Sequence, residues 1–410
     1  MLNKETDRQM AIIATNTVDL ISKEELRKKI ATSIREDRPL RVKYGADPSA
    51  PDIHLGHSVG LNKLRQFQDL GHKVIFLIGD FTGMIGDPSG RSETRKPLTR
   101  EEIAANAETY KEQAFKILNP EKTEIRFNSE WNTPMRFEQV LKLSAHATVA
   151  QMLARDDFQK RFQENQPISL VEFLYPLIQG YDSVAVKADV ELGGTDQLFN
   201  LLVGRSLQKA FDQEQQIVMT LPLIPGLDGI KKMSKSLGNY VGITEAPNEM
   251  FGKLMSVPDE LVESYLTLVL GKSPDELERI KTDLTSGKLH PRDLKDSMAK
   301  DVVEKFHDAV SAGKASEEFK NIFADNKLPN DIPTYVISHA ERKNGKVWIV
   351  TLLVRLELAQ SNGAARRLIA QGGVRVGGEK ITDDTLELEL PEDTVVQVGK
   401  RGFAKVVSLS

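Results

Sequence analysis

Residues 40–79 narrow the fold most, because a strand, a turn, a helix and a second strand follow one another without a gap. Leu40 to Ala46 has the apolar content of a short buried strand, and Asp47-Pro48-Ser49-Ala50-Pro51-Asp52 is turn chemistry. The apolar period from Leu55 to Leu70 predicts a helix closed by Gly71 at its C-terminal cap, and Val74 to Gly79 reads as the next buried strand. Such a run is a βαβ unit, whose right-handed crossover leaves the first loop at the carboxyl edge of a parallel sheet. His54-Leu55-Gly56-His57 then marks a helix N-terminus at that edge. There the helix dipole and free backbone N–H groups favour anions, and two imidazoles three residues apart can donate to phosphate oxygens. A packed first-turn residue is the competing reading for His57, and a plain loop residue for His54.

Two further strings carry chemistry. Leu221 to Gly229 is too rich in proline and glycine to be regular, so Lys231-Lys232-Met233-Ser234-Lys235-Ser236 is expected on a mobile loop. Ammonium groups closing over a bound triphosphate would stabilise the charge that develops as the α-phosphoryl is transferred and pyrophosphate leaves. A solvated basic turn is the alternative. Tyr175, Gln179 and Asp182 fall at i, i+4 and i+7, one face of an otherwise apolar helix. A buried polar stripe needs hydrogen-bond partners, which a ligand bearing an ammonium and a hydroxyl would supply. An internal polar network would supply them too.

Composition limits the choices. A chain of 410 residues suggests two or three domains. Without cysteine it has no disulfide and no thiolate metal site. The start Met1-Leu2-Asn3-Lys4 lacks a cationic-then-apolar signal and no apolar run reaches membrane-span length, so a cytoplasmic protein is expected. A net charge of −4 requires any RNA contact to be local.

The paired strings H-x-G-H and K-M-S-K-S resemble those of class I aminoacyl-tRNA synthetases, and essentially the whole chain is similar to the bacterial tyrosyl-tRNA synthetases. Four further segments match that family in type and order: Asp47 to Ala50, Gly86-Asp87-Pro88-Ser89-Gly90-Arg91, Tyr175 to Asp182, and Gly193-Gly194-Thr195-Asp196-Gln197. The resemblance implies that His54, His57, Lys232, Lys235, Arg91 and Arg95 serve the triphosphate and the reacting phosphorus. It implies that Asp87, Tyr175 and Gln179 receive the α-ammonium of tyrosine, that Asp182 accepts its phenolic hydroxyl, and that Asp196 and Gln197 lie between amino acid and ribose. Asp47, Ser49, Gly56 and, again, Lys235 would line the nucleotide. Arg91 stands where relatives often have lysine, which keeps the charge and changes its geometry. Counting back from Asp47, Lys43 occupies the position where many members place a tyrosine against the substrate hydroxyl, and Tyr44 comes one residue later. A one-residue slip on a strand points a side chain to the opposite face, so Tyr44 is not expected to inherit that role; recognition should rest on Asp182, with Lys43 the neighbouring candidate.

The expected architecture is α/β. A Rossmann-like parallel-sheet catalytic domain spans 1–230, with a mainly helical insertion at about 119–199 that the resemblance implies is dimer-forming. The lysine loop and a helical anticodon-side domain follow at 231–330, with a helix start at Ser273-Pro274-Asp275-Glu276. A linker is expected at 331–346, then a small α+β RNA-binding domain of S-four type at 347–410. Residues 346–410 carry nine basic and eight acidic side chains, so RNA binding would need basic groups on one side, with Arg366, Arg367, Lys400 and Arg401 as candidates.

The resemblance implies a tyrosine–tRNA ligase activity, joining L-tyrosine to ATP as an adenylate and then to tRNA(Tyr), in a homodimer, with neither DNA nor membrane expected as partner. No protein-held cofactor or metal is expected, and magnesium arrives with ATP. Another H-x-G-H nucleotidyltransferase would not need the lysine loop, the Tyr175 to Asp182 face or an RNA-binding tail. A catalytically silent, RNA-binding relative would leave a gap among His54, His57, Lys232 and Lys235, and the sequence has none. Tryptophan is the nearest rival substrate; Asp182 and the tail favour tyrosine.

Overall fold

The computed structural model describes residues 2–89, 98–323, 332–338, 341–342, 345–391, 393–399 and 402–408, divided between two compact units, Met1–Ala312 and Gly313–Ser410. The first unit is built on strands β1 (Leu20–Ile21), β2 (Arg41–Ala46), β3 (Lys73–Ile78), β4 (Thr123–Phe127), β5 (Val190–Gly194) and β6 (Ile217–Leu221), which lie side by side in the order β1-β6-β5-β2-β3-β4. All neighbours are parallel except β1, which runs antiparallel to β6. Buried on both faces, β3 and β6 read as nearly continuous apolar runs, as central parallel strands do.

The expected βαβ unit is present. The helix Leu55–Asp69 starts on His54 as its cap, and Gly71 follows with φ +89°, in the left-handed region that a residue with a Cβ rarely adopts. Because β3 and β4 extend the sheet to one side of β2 while β5 and β6 lie on the other, the order switches between β2 and β5. Ligands of open parallel sheets bind in the crevice at the carboxyl ends of strands flanking such a switch.

Three expectations of organisation need correcting. The span 119–199 is not wholly a helical insertion, because β4 and β5 at its two ends belong to the main sheet. The edge strand β4 is only half-buried, and β5 carries Glu191 and ends in Gly193-Gly194, so both gave weak strand signals. Between them stand the helices Phe137–Ser144, Val149–Leu153, Asp156–Gln163 and Leu170–Val186. Second, the helices Pro247–Met255, Val262–Leu268, Pro274–Thr285 and Pro291–Phe306 share the compact unit of the sheet, so the boundary lies near Ala312 instead of 330. The capping box at Ser273 is present, with Ser273 N donating to Glu276 Oε2 at 2.7 Å and Glu276 N to Ser273 Oγ at 3.3 Å.

Third, the linker expected at 331–346 contains a strand. In the second unit β7 (Thr334–Ile337), β8 (Val347–Trp348), β9 (Val374–Val376), β10 (Glu379–Ile381), β11 (Glu387–Leu388), β12 (Thr394–Val398) and β13 (Gly402–Ser408) form a five-stranded sheet, β10-β9-β12-β13-β7, and a β8–β11 pair. Among the described residues β7 pairs only with β13, in parallel, at the edge of the sheet, so Pro333 just ahead of it is tolerated although it reads as a linker residue. The helices Ile349–Arg355 and Asn362–Ala370 pack Ile349, Leu352, Leu353 and Ile369 against Val374, Val396 and Val406.

Candidate active site

A cavity of about 550 Å³ opens at the carboxyl ends of β2, β3 and β5, where the strand order switches. Asp47 leaves β2 into it, Asp196 and Gln197 follow β5, and the first turn of the Leu55–Asp69 helix forms one wall. Gly79, just after β3, permits this convergence: a Cβ there would overlap the Asp47 carboxylate.

The two histidines cap the helix reciprocally. Gly56 N donates to His54 Nδ1 at 3.1 Å and His54 N donates to His57 Nδ1 at 3.3 Å, with the rings 3.9 Å apart. Leu55 N is taken by Val241 O and His57 N by His54 O, both at 2.9 Å. The expectation of free first-turn amides for an anion is therefore corrected, because capping and the strand-like contact at Val241 consume them. Recognition falls to the imidazoles. With each Nδ1 accepting a backbone N–H, the ring proton sits on Nε2, a donor left over for a ligand. Burial, reinforced for His57 by the Lys235 charge, lowers His57 to about 4; burial, His57, Lys235 and Lys232 lower His54 well below its ordinary value. Both rings are thus neutral donors near pH 7.

The lysine loop lies against this wall. Met233 N donates to Ile224 O at 2.9 Å and Ser234 N to Asn239 Oδ1 at 2.8 Å, while Asn239 Nδ2 reaches Asp228 Oδ2 at 3.0 Å. Lys232 Nζ donates to Asp196 Oδ2 at 2.6 Å. Lys235 donates to Asp52 O and stands 5.5 Å from the Tyr110 ring centroid. Lysines and histidines far apart in sequence therefore line one cavity. Arg91 and Arg95 lie outside the described residues.

The polar stripe of the Leu170–Val186 helix faces the same cavity. Gln197 Nε2 donates to Asp87 Oδ2 at 2.8 Å and Gln179 Nε2 reaches Gln197 Oε1 at 3.4 Å, which brings three of the expected amino-acid-binding residues together. Tyr175 OH donates to Asp47 Oδ2 at 2.8 Å, joining a tyrosine expected at the ammonium to a carboxylate expected at the adenylate. Ser49 and Gly56 also line the cavity. Asp182 is buried; Trp131 Nε1 donates to its Oδ1 at 2.8 Å and Asn128 Nδ2 to its Oδ2 at 3.3 Å. Burial raises Asp182 to about 7, against the opposing pull of Lys43 and these donors.

Lys43 and Tyr44 point to opposite faces of β2, as the strand period requires. Lys43 faces the Leu170–Val186 helix, where its Nζ donates to Ser183 Oγ at 3.0 Å. Tyr44 crosses the Leu55–Asp69 helix at Gly60, where a Cβ would sit 2.6 Å from the phenol ring. Sequence reasoning missed Asn128, Trp131, Asn200 and Asn239. Asn200 Nδ2 donates to Gln179 Oε1 at 2.9 Å and Gln197 Oε1 at 3.2 Å. Its place one helical turn after Gln197 was the available signal.

In the second unit Arg366 Nε is 3.3 Å from Asp384 Oδ2 and its guanidinium 5.5 Å from the Trp348 ring, while Arg367 is exposed. Lys400 and Arg401 lie outside the described residues.

Residues 35–324 match the family model of the tRNA synthetases class I (W and Y), and residues 347–395 match the S4 domain. The tyrosine–tRNA ligase of Moorella thermoacetica is 54% identical over 405 residues, 99% of this chain and 97% of that one. That of Geobacter metallireducens is 55% identical over 399 residues, covering 97% and 98%. Among solved structures, the tyrosyl-tRNA synthetase of Archaeoglobus fulgidus complexed with L-tyrosine superposes with a TM-score of 0.61 at 24% identity, over 75% of this chain and 99% of that one, a likeness of fold. The fold, the convergent site and these matches agree, and the chain belongs to the bacterial tyrosyl-tRNA synthetase family of the class I tRNA synthetases.

Proposed function

We infer that this chain is a tyrosine–tRNA ligase, which activates L-tyrosine with ATP, releases pyrophosphate, and passes tyrosine to the 3′ end of tRNA(Tyr) with release of AMP. The observation that carries the reading is one cavity with buried Asp182 among the hydrogen-bond donors Asn128 and Trp131 on one side and His54, His57, Lys232 and Lys235 on another. The tyrosine carboxylate attacks the α-phosphorus and needs no general base, so the protein supplies position and electrostatics. His54 and His57 donate from Nε2 to the phosphate oxygens. Lys232 and Lys235, with Arg91 and Arg95, stabilise the departing pyrophosphate. Asp87, Tyr175 and Gln179 hold the ammonium, Asp182 accepts a hydrogen bond from the phenol, Asp196 and Gln197 lie between tyrosine and ribose, and Asp47, Ser49 and Gly56 flank the nucleotide, which enters as magnesium–ATP.

The chain acts as a homodimer through its insertion, where Phe137, Leu141, Val149 and Leu170 expose more than half of their surface. Arg366 and Arg367, with Lys400 and Arg401, contact RNA phosphates. No helix among the described residues is long and apolar enough to cross a membrane. Pyrophosphate exchange against all twenty amino acids, followed by charging of tRNA, tests the reading. Exchange stimulated by tyrosine alone is the expected result, and its absence returns the silent RNA-binding alternative.

A further inference from the structure

In the wall of the amino-acid end of the cavity lies a buried ion pair that the proposed chemistry does not use. Lys43 on β2 and Glu191 on β5 are cross-strand partners, and both side chains are buried, at 0% and 2% exposure. Lys43 Nζ donates to Glu191 Oε1 at 2.6 Å, to Ser183 Oγ at 3.0 Å and to the Gln179 carbonyl at 3.3 Å. Three N–H protons meet three acceptors, so Lys43 has no donor left for a ligand. The other Glu191 oxygen accepts from Ser183 Oγ at 2.9 Å and from Gln216 Nε2. The network thus grips the Leu170–Val186 helix at Gln179 and Ser183, on either side of Asp182.

We propose that Lys43 and Glu191 are a positioning pair for tyrosine recognition: they fix the Gln179–Ser183 turn and set the charge around Asp182 without touching the substrate. This rests on the reading of Asp182 as acceptor of the phenolic hydroxyl. The position that resembles a direct hydroxyl contact in other family members has become part of the support under that contact. Several groups face Asp182. They are Lys43 on β2, Glu191 on β5, Tyr175 on its own helix, and the neutral donors Trp131, Asn128 and Asn132 from the 128–132 segment. Lys43 favours the ionised carboxylate and Glu191 opposes it, with Lys43 the stronger influence.

The test is the double variant Lys43→Met/Glu191→Gln, which removes both charges together. Removing only one would strand the other in the core. In full-length enzyme, kcat/KM for tyrosine in pyrophosphate exchange should fall about fivefold or more while KM for ATP stays within about twofold. The acid limb of the tyrosine profile should move to higher pH, since the net favourable field on the Asp182 carboxylate is gone. The preference for tyrosine over phenylalanine should persist. A parent-like kcat/KM and acid limb would reduce the pair to packing and overturn the proposal. A collapse of the preference would instead make Lys43 a direct hydroxyl ligand, which also overturns it. Asp182→Ala, which removes the acceptor, separates the underlying reading: if it leaves the preference intact, Asp182 is not the hydroxyl acceptor, whatever the double variant does. Should the double variant fail to fold, Ser183→Ala removes both side-chain bonds between the pair and the helix, leaving only the Lys43 bond to the Gln179 carbonyl, without stranding a charge. It should raise KM for tyrosine and not for ATP, and no change there overturns the proposal.

Discussion

Lys232 Nζ and Asp196 Oδ2 stand 2.6 Å apart, so the lysine loop is tied to the residue proposed to flank the ribose. The pair is partly exposed, at 39% and 21%, and so contributes little to stability. It is easily exchanged for a phosphate, which gives the loop a reason to respond to ATP. Lys235, beside the histidines, belongs to the moment of bond change.

Lys235→Ala is accordingly expected to depress adenylate formation by about 10²-fold or more, the scale for losing one charge-stabilising donor in a transition state. The tyrosine dissociation constant should stay within about twofold, because the group acts on the transition state and not on bound amino acid. Single-turnover kinetics with equilibrium dialysis separates the two. Weakened tyrosine binding with an unchanged activation rate would contradict the assignment.

Substrate choice rests on the opposite faces of β2. Asp182→Ala should lose tyrosine activation steeply and narrow the gap to phenylalanine, since Trp131 and Asn128 lose their acceptor and the phenol has no partner; an unsatisfied buried polar group costs about 1–3 kcal/mol. Tyr44→Phe should change the gap little, because Tyr44 packs over Gly60 and Phe76, its ring 6.3 Å from the Phe76 ring. Rates of exchange with both amino acids decide it. A large loss of discrimination in Tyr44→Phe would place the wrong side chain at the hydroxyl.

The sheet and the site were legible in the sequence wherever chemistry repeats at short spacing. The cap at His54, the stripe at Tyr175, Gln179 and Asp182, and the slip between Lys43 and Tyr44 are all local periodicities, and the structure preserves them. What escaped depends on distant partners. Asn128 and Trp131 reach Asp182 across 54 and 51 residues, and no window of sequence holds both ends. The strand β7 escaped for the same reason, because its sheet neighbour among the described residues, β13, lies some seventy residues downstream. The free first-turn amides were wrong because Gly56 N is spent on the His54 ring that caps the helix, while Leu55 N and His57 N go to the carbonyls of Val241 and His54.

Asp182 also predicts a pH dependence with two opposite signs. An ionised Asp182 accepts the phenol proton, so kcat/KM for tyrosine should fall as pH drops below about 7, and Asp182→Asn should flatten that limb. Stability moves the other way. The folded-state value is raised above the ordinary 3.8, so this group's contribution is present below that value and is lost as pH rises through about 7. His54 and His57, lowered by burial, lose stability on acidification, so the Asp182 effect must be read as the difference between parent and Asp182→Asn. Thermal unfolding of both proteins between pH 5 and 8 measures it. A difference independent of pH would mean that Asp182 does not titrate in this range.

The boundary between the two units gives the last prediction. A truncation at 346, where the sequence suggested a linker end, would leave β7 behind without β13, exposing the edge of a strand that has lost its partner. A cut after residue 330 removes β7 with the rest of its sheet and keeps the whole first unit, Met1–Ala312. Adenylation uses the sheet of that unit and its loops, so the shorter chain should retain pyrophosphate exchange within about twofold of the parent KM and kcat. Charging of tRNA should fall by about 10²-fold or more, because phosphate contacts supply much of the affinity for nucleic acid and the matched S4 segment at 347–395 is gone. The comparison to make is between cuts at 330 and 346, each assayed for exchange, charging and solubility. The chain ending at 346 should aggregate more readily while charging no better. If exchange collapses in a folded 330-residue chain, the second unit is a structural part of the catalytic one and the two units do not divide activation from RNA binding.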